Sequence, residues 1–306
     1  SEMLAVKCLL PRMDDVNLKK GDCGRLAVFG GSEDYPGAPF YAATAMLRLG
    51  ADLAHIFTEP AAAPVIKSYS PEVLVGKSTA FPNWLGALDG VLIGPGAGRD
   101  GASVDLVSAA IRVATAADPP KHVVIDADGL WAITQTWIEG DRFPDHSIVM
   151  LTPNANEMDR LARKFLNDTT KGRPVAEVSR LAALLAEMLH CHVFVKGESD
   201  VFATPKKEVL VFSHPGSPRR PGGIGDCLAG MLTTFVVWAH KSSDWMATAA
   251  EAASYVTREA SKEAYRDNGR GMNATDVIAK IVPLIRYIEG CPSNRMSPDT
   301  IVAPTE

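Results

Sequence analysis

The chain has 306 residues, 46% hydrophobic and 22% charged, a balance that excludes disorder over most of its length. Lys plus Arg total 31 against 36 Asp plus Glu, a formal net charge of −5, so charge gives no reason to expect a nucleic acid or an anionic membrane as partner. The longest uncharged stretch, Cys227 to His240, falls short of the roughly 20 apolar residues of a membrane span. Five cysteines (Cys8, Cys23, Cys191, Cys227, Cys291) are odd in number, widely spaced and without zinc spacing, which suggests a reducing compartment. The first 25 residues lack the apolar core of a secretory signal, and Asp14, Asp15 and Asp22 interrupt them. The expectation is a cytoplasmic protein. Ser1 is not an initiator Met, which leaves a mitochondrial form and a removed targeting peptide open.

From Arg25 onward short apolar runs alternate with helical patterns. Leu26–Gly30 reads as a buried strand, Ala38–Leu49 as a helix ended by Gly50, and Leu53–Phe57 as the next strand. Gly90–Ile93, His122–Ile125, Ile148–Leu151 and Val193–Val195 continue the strand series. Helices are expected near Ala102–Ala116, Asn154–Phe165 and Val175–Leu189. Val201–Ala203 and Glu208–Phe212 flank Pro205-Lys-Lys and predict a hairpin at a sheet edge. Three helices follow, near Asp226–His240, Trp245–Ala264 and Asn273–Tyr287. This alternation predicts an α/β fold, a mostly parallel sheet covered on both faces. No linker divides the chain, so residues 1–290 are expected to form a single domain and 291–306 a loose tail.

Ligands of an open parallel sheet bind at the carboxyl ends of its strands, which directs attention to six loops. The strongest signal is Pro221-Gly-Gly-Ile-Gly-Asp226 entering a helix. Its glycines allow close backbone approach, and the helix N-terminus supplies positive potential for an anion. Asp226 would repel a phosphate, so it reads as a base aimed at a hydroxyl beside one; as plain helix structure it reads as an N-cap. Thr152-Pro-Asn-Ala-Asn-Glu157 ends a strand and opens a helix. Asn154 and Glu157 have capping-box spacing, and Glu157 is also placed to hold a magnesium ion through water. Lys196-Gly-Glu-Ser-Asp200 follows another strand, where Lys196 can reach a nucleotide phosphate or form an ordinary edge turn. Gly96-Ala-Gly-Arg-Asp-Gly101 matches GxGxxG, with Asp118 near the offset of a ribose-binding acid. Asp118 precedes its strand instead of ending it, however, and the strand-ending acids are Asp126 and Asp128. Gly30–Pro39 is a further glycine-rich loop. No GxxxxGK[ST], GxSxG or HExxH pattern occurs.

Taken together, KGDCGRLAVFGGSEDYPGAPFYAATAMLRLGADL, IGPGAGR, VIDADGLW, LTPNANEMDRL, VKGESDVF and GSPRRPGGIGDCLAGML resemble the ADP/ATP-dependent NAD(P)H-hydrate dehydratases of the ribokinase-like superfamily. They occur in family order and cover most of residues 19–233. The resemblance implies a ribokinase-like three-layer α/β/α sandwich. It implies Asp226 as catalytic base and the Gly223–Gly225 amides as anion hole. Lys196, Gly197, Glu198, Ser199 and Asp200 would line the ATP site. So would Gly216, Ser217, Pro218, Arg219, Arg220, Pro221, Gly222, Gly223, Ile224 and Gly225. Gly98, Asn154, Ala155, Asn156, Glu157, Met158, Asp159, Arg160 and Asp226 would contact the hydrated dinucleotide, NADHX or NADPHX, and Glu157 would help place Mg²⁺. Arg219-Arg220 is similar to the eukaryotic, ATP-using branch, whereas Ile224 replaces a Ser common in bacterial members. The implied reaction is ATP-driven dehydration of the S epimer, a repair of damaged cofactor, with a homo-oligomer left open. The competing readings are a small-alcohol kinase, a nicotinamide-dependent oxidoreductase using Gly96–Gly101, and a non-catalytic nucleotide-binding protein.

Overall fold

The computed structural model describes residues 2–13, 17–239 and 245–292. The expected tail falls outside them apart from Cys291 and Pro292. The elements in chain order are α1 (Glu2–Leu9), β1 (Arg25–Phe29), α2 (Gly37–Leu49), β2 (Leu53–Thr58), α3 (Ala63–Lys67), β3 (Leu74–Lys77), α4 (Phe81–Trp84), β4 (Gly90–Ile93), α5 (Gly101–Thr115) and β5 (His122–Ile125). They continue with α6 (Asp128–Thr136), β6 (Ile148–Leu151), α7 (Ala155–Leu161), α8 (Val175–Leu189), β7 (His192–Val195), β8 (Asp200–Ala203), β9 (Val209–Phe212), α9 (Ile224–Trp238), α10 (Trp245–Asn268) and α11 (Ala274–Gly290).

The nine strands form one sheet in the order β3-β2-β1-β4-β5-β6-β7-β8-β9. Neighbours from β3 to β7 are parallel, and β8 is antiparallel to both β7 and β9. The expected edge hairpin is therefore β8–β9. Strands β4 and β5 are buried at every position, as continuous Val/Leu/Ile runs require when helices cover both faces. One apolar layer gathers α1, α2, α9, α10 and α11, and the other gathers α4, α5, α6, α7 and α8. This is the three-layer sandwich expected from the alternation. Five elements carried no expectation: α1, α3, β3, α4 and α6. Helices α1, α3 and α4 have only eight, five and four residues, too short for a clear helical period. Strand β3 is short, contains Gly76, ends in Lys77 and lies half-exposed at an edge, so it shows neither alternation nor an apolar run. Helix α6 starts immediately after β5, with Ala127 at φ 49°, and its predominantly polar end obscures the periodicity.

Crossing the sheet from β1 to β4 reverses the direction in which strands are added, which opens a crevice at their carboxyl ends. Helix α9 delivers its N-terminus to that edge. It packs so closely on α2 that a Cβ at Gly230 would stand 2.3 Å from the Ala42 carbonyl oxygen. Backbone, not a flexible side chain, blocks the space, so Gly230→Ala must push α9 off α2. The expected cost is about 1–3 kcal/mol of stability, the usual penalty of overpacking, readable as a lower denaturant midpoint. A midpoint equal to that of the parent chain would show that α9 is not seated this tightly.

Candidate active site

The site is built where β5, β6 and β7 end. Asp126 follows β5 and is only 2% exposed; Lys196 follows β7, with its side chain 16% exposed. Lys196 Nζ donates to Asp126 Oδ1 at 2.6 Å. Between them, Lys196 N donates to the Pro153 carbonyl at 2.8 Å, and Asn154 and Lys196 form a parallel bridge. The β6–β7 pairing thus extends into the loops and presents Lys196 toward the site. β7 is interior to the sheet, so the edge-turn reading of Lys196 does not hold. Burial alone would lower the lysine pKa, but the carboxylates of Asp126, Glu157 and Asp226 outweigh it and hold Lys196 above its ordinary value.

The capping box at α7 is formed. Asn154 Oδ1 accepts from the Asn156 and Glu157 amides at 3.0 Å, and Glu157 Oε2 accepts from Asn154 N at 2.8 Å. This does not exhaust Glu157. It is buried, and burial and the Asp126 charge raise its pKa against the opposing pull of Lys196. Among the described residues no three His, Cys, Asp or Glu side chains converge as a metal cage. Hard carboxylate oxygens beside a helix N-terminus that can take an anion are of a kind that suits Mg²⁺ held largely by water and phosphate, and Glu157 is among them.

The glycine-rich segment turns into α9 with Gly223 as N-cap at φ 94°. A Cβ there would meet the Tyr41 ring and the Ala274 Cβ within 3 Å, so both backbone conformation and space require glycine. Asp226 is consequently the third residue of α9, not its cap, and the N-cap reading is excluded. No described residue hydrogen-bonds its carboxylate. Burial first, then the charges of Asp126, Asp128 and Glu157, push its pKa up to about 7 despite Lys196. Gly225 borders Lys196: a Cβ at Gly225 would lie 3.7 Å from Nζ. The unpaired N–H groups of the first turn of α9 and the Lys196 ammonium therefore stand together beside a carboxylate poised near neutrality.

The remaining expected residues divide by what their side chains do. Asp200 is buried, holds Arg258 through both oxygens at 2.8 and 3.0 Å, and accepts from Ser254 and from Gly197 N. Arg258 also donates to the Gly197, Glu198 and His214 carbonyls. Asp200 thus shapes the Lys196–Ser199 loop through these bonds. Arg219 Nε donates to the Met272 carbonyl at 2.8 Å, which anchors Gly216–Gly222 to the start of α11; Arg220 is exposed. Gly98 N donates to Asp128 Oδ2 at 3.0 Å, and Arg99 Nε donates to Oδ1 at 2.7 Å. Met158 is sealed in the core. Burial opposes ionisation of Asp159, but hydrogen bonds from Thr169, Arg163, Thr170 N and Lys171 N hold its pKa at about 2. Both residues nonetheless border a cavity of about 440 Å³, which runs along Lys196–Ser199 and reaches Ala155 and Asn156. Asp118 lies outside β5, in the turn before it, away from a ribose-binding position. Sequence reasoning noted Asp126 without giving it a partner and missed Arg258, whose role no local pattern signals from within α10.

This architecture is ribokinase-like: a ribokinase-like superfamily protein of Enterococcus faecalis aligns over 94% of each chain with TM-score 0.76 at 19% identity. The chain belongs to the NAD(P)H-hydrate dehydratase family, whose model matches residues 26–283. The ATP-dependent (S)-NAD(P)H-hydrate dehydratase of Caenorhabditis briggsae is 38% identical over 293 residues, covering 92% of this chain and 93% of that protein. The human enzyme of the same name is also 38% identical, over 90% of this chain and 81% of its own length.

A carboxylate whose folded pKa lies above its unfolded value binds its proton more tightly when folded. Ionising Asp226 therefore costs stability as pH rises from about 4 toward 7. Asp226→Asn is expected to raise the melting temperature at pH 8, with the gain shrinking toward pH 4. An equal or lower melting temperature at pH 8 would contradict the strained environment.

Proposed function

We infer that this chain catalyses the ATP-dependent dehydration of hydrated NADH and NADPH, S epimer, restoring the reduced cofactors. The observation that carries the reading is Asp226, without a hydrogen-bond partner among the described residues, held near pKa 7 and placed at the N-terminus of α9 beside Lys196. Family membership supplies the substrate class, and the ATP-dependent names of the eukaryotic relatives support ATP as phosphoryl donor. A general base works best when its pKa lies near the operating pH.

The hydroxyl of the hydrate sits on the ring carbon beside nitrogen and is a poor leaving group. Asp226 takes its proton as the oxygen attacks the γ-phosphorus; the new O–P bond forms, the bond to the bridging oxygen breaks, and ADP leaves. The amides around Gly223, Ile224 and Gly225 and the Lys196 ammonium receive the charge that develops on the phosphoryl oxygens. The ring-nitrogen lone pair then expels phosphate by C–O cleavage, and loss of a proton from the neighbouring carbon restores the dihydronicotinamide. Mg²⁺, when bound with the help of Glu157, supplies further positive charge to the phosphates. The Lys196–Ser199 and Gly216–Gly222 loops line the ATP side. Gly98 and the exposed part of Asn154–Arg160 line the dinucleotide side.

Adding ATP to the protein with hydrated NADH is expected to restore the near-ultraviolet absorption of NADH. ATP cleavage without that recovery would leave only a kinase. Asp226→Asn is expected to retain ATP binding and lose about 10²–10⁴-fold in kcat. Because the base must be unprotonated, kcat/KM for the parent chain is expected to fall roughly tenfold per unit below pH 7. Loss of less than tenfold in the variant, or a flat profile between pH 5 and 7, would remove Asp226 as base.

Glu157→Gln keeps the cap, since Gln also closes a capping box. It is expected to leave the melting temperature nearly unchanged and to raise the Mg²⁺ concentration needed for half-maximal activity. An unaltered Mg²⁺ dependence would confine Glu157 to capping.

A further inference from the structure

Trp131 on α6 carries two guanidinium groups. Arg99 Cζ lies 5.3 Å and Arg160 Cζ 4.9 Å from its ring centroid. Each contact is attractive, but two like charges held at one indole repel, and the arrangement calls for a negative partner. Arg99 finds part of one: its Nε is on Asp128, which leaves its terminal nitrogens unused. Arg160 finds none. It is half-buried and makes no hydrogen bond or ion pair among the described residues, so its fork of five donors is open. The ring itself is held by stacking, because its Nε1–H is buried without a hydrogen-bond partner.

The position of this pair is informative. Arg99, Trp131 and Arg160 follow β4, β5 and β6, whereas the loops on the ATP side follow β7 and β9. Asp128, which orients Arg99, is close enough to raise the Asp226 pKa. Two guanidinium groups held on one indole at this edge, each with donors left open, suit a diphosphate, whose two phosphates each carry a single charge. Asp126, Asp128, Glu157 and Asp226 otherwise make this edge acidic and hostile to an anionic substrate.

Resting on the dehydratase reading, the geometry points to the Arg99–Trp131–Arg160 stack as the clamp for the diphosphate bridge of the dinucleotide, the anion that the NADH and NADPH hydrates share. The stable products NADH and NADPH, and ADP-ribose, which has the diphosphate but no nicotinamide, are the probes. In the full chain Arg160→Ala is expected to weaken NADH and NADPH by the same factor, about 10–100-fold, as for loss of charge-assisted hydrogen bonds. The ATP dissociation constant should stay within about twofold. Arg160→Lys should recover part of the loss, since the charge returns without the fork. With no variant at all, ADP-ribose should displace NADH from the parent chain. A loss confined to NADPH would assign Arg160 to the 2′-phosphate and overturn the proposal. A loss shared by ATP, no loss, or failure of ADP-ribose to compete would also overturn it. A parent chain that binds NADH in this way but never restores it from the hydrate would instead overturn the dehydratase reading and leave the clamp standing.

Discussion

The buried pair between Lys196 and Asp126 is the constraint on which the rest of the site depends. Its partners follow β7 and β5 and meet across β6 at 2.6 Å. An ammonium and a carboxylate removed from water are costly unless paired, and losing one partner of such a pair typically costs about 3–5 kcal/mol. The strands must therefore end where the two charges can meet. Ala127, at φ 49° immediately after Asp126, shows the backbone accepting an unfavourable conformation to present Asp126 and Asp128 together. Glu157, Gly225 and Asp226 then gather around the same ammonium.

That gathering has an electrostatic consequence. Lys196 faces Asp126, Glu157 and Asp226, so one cation cannot neutralise every carboxylate near it. Asp126 has a direct hydrogen bond to the ammonium. Glu157 has a backbone amide. Asp226 has neither, and it is the group whose proton is held to about pH 7. The chain thus leaves one carboxylate the least satisfied, a local instability of the kind active sites retain and the property that the proposed base needs. On the proposed function, a negatively charged dinucleotide and a nucleoside triphosphate would enter this edge only where cations or amides face them. That explains why glycine amides, Lys196 and the Trp131-stacked arginines ring an otherwise acidic crevice.

Much of this was legible because the relevant signals are local. Continuous apolar runs such as Val91–Ile93 and Val123–Ile125 announced buried parallel strands, and the glycines before Asp226 announced a helix N-terminus with room for an anion. The Asn154–Glu157 spacing announced a capping box, and the cap takes one Glu157 carboxylate oxygen. What escaped depends on contacts between distant segments. Lys196 and Asp126 are 70 residues apart, and Arg258 reaches back 58 residues to Asp200. No sequence pattern reports that Asp200 and Asp159 spend their carboxylates on neighbouring arginines, hydroxyls and amides. The near-neutral Asp226 likewise follows from burial and from charges on β5, α6 and α7 that only the fold assembles.

The most direct test of this account is the ionisation of Asp226 itself. A carboxyl-specific infrared or carbon-13 titration of the ligand-free protein, with Asp226→Asn subtracted, isolates that one group. The account predicts a midpoint near pH 7. A midpoint near 4, the ordinary value of an aspartate, would mean that neither burial nor the surrounding carboxylates hold its proton, and the central claim would fail.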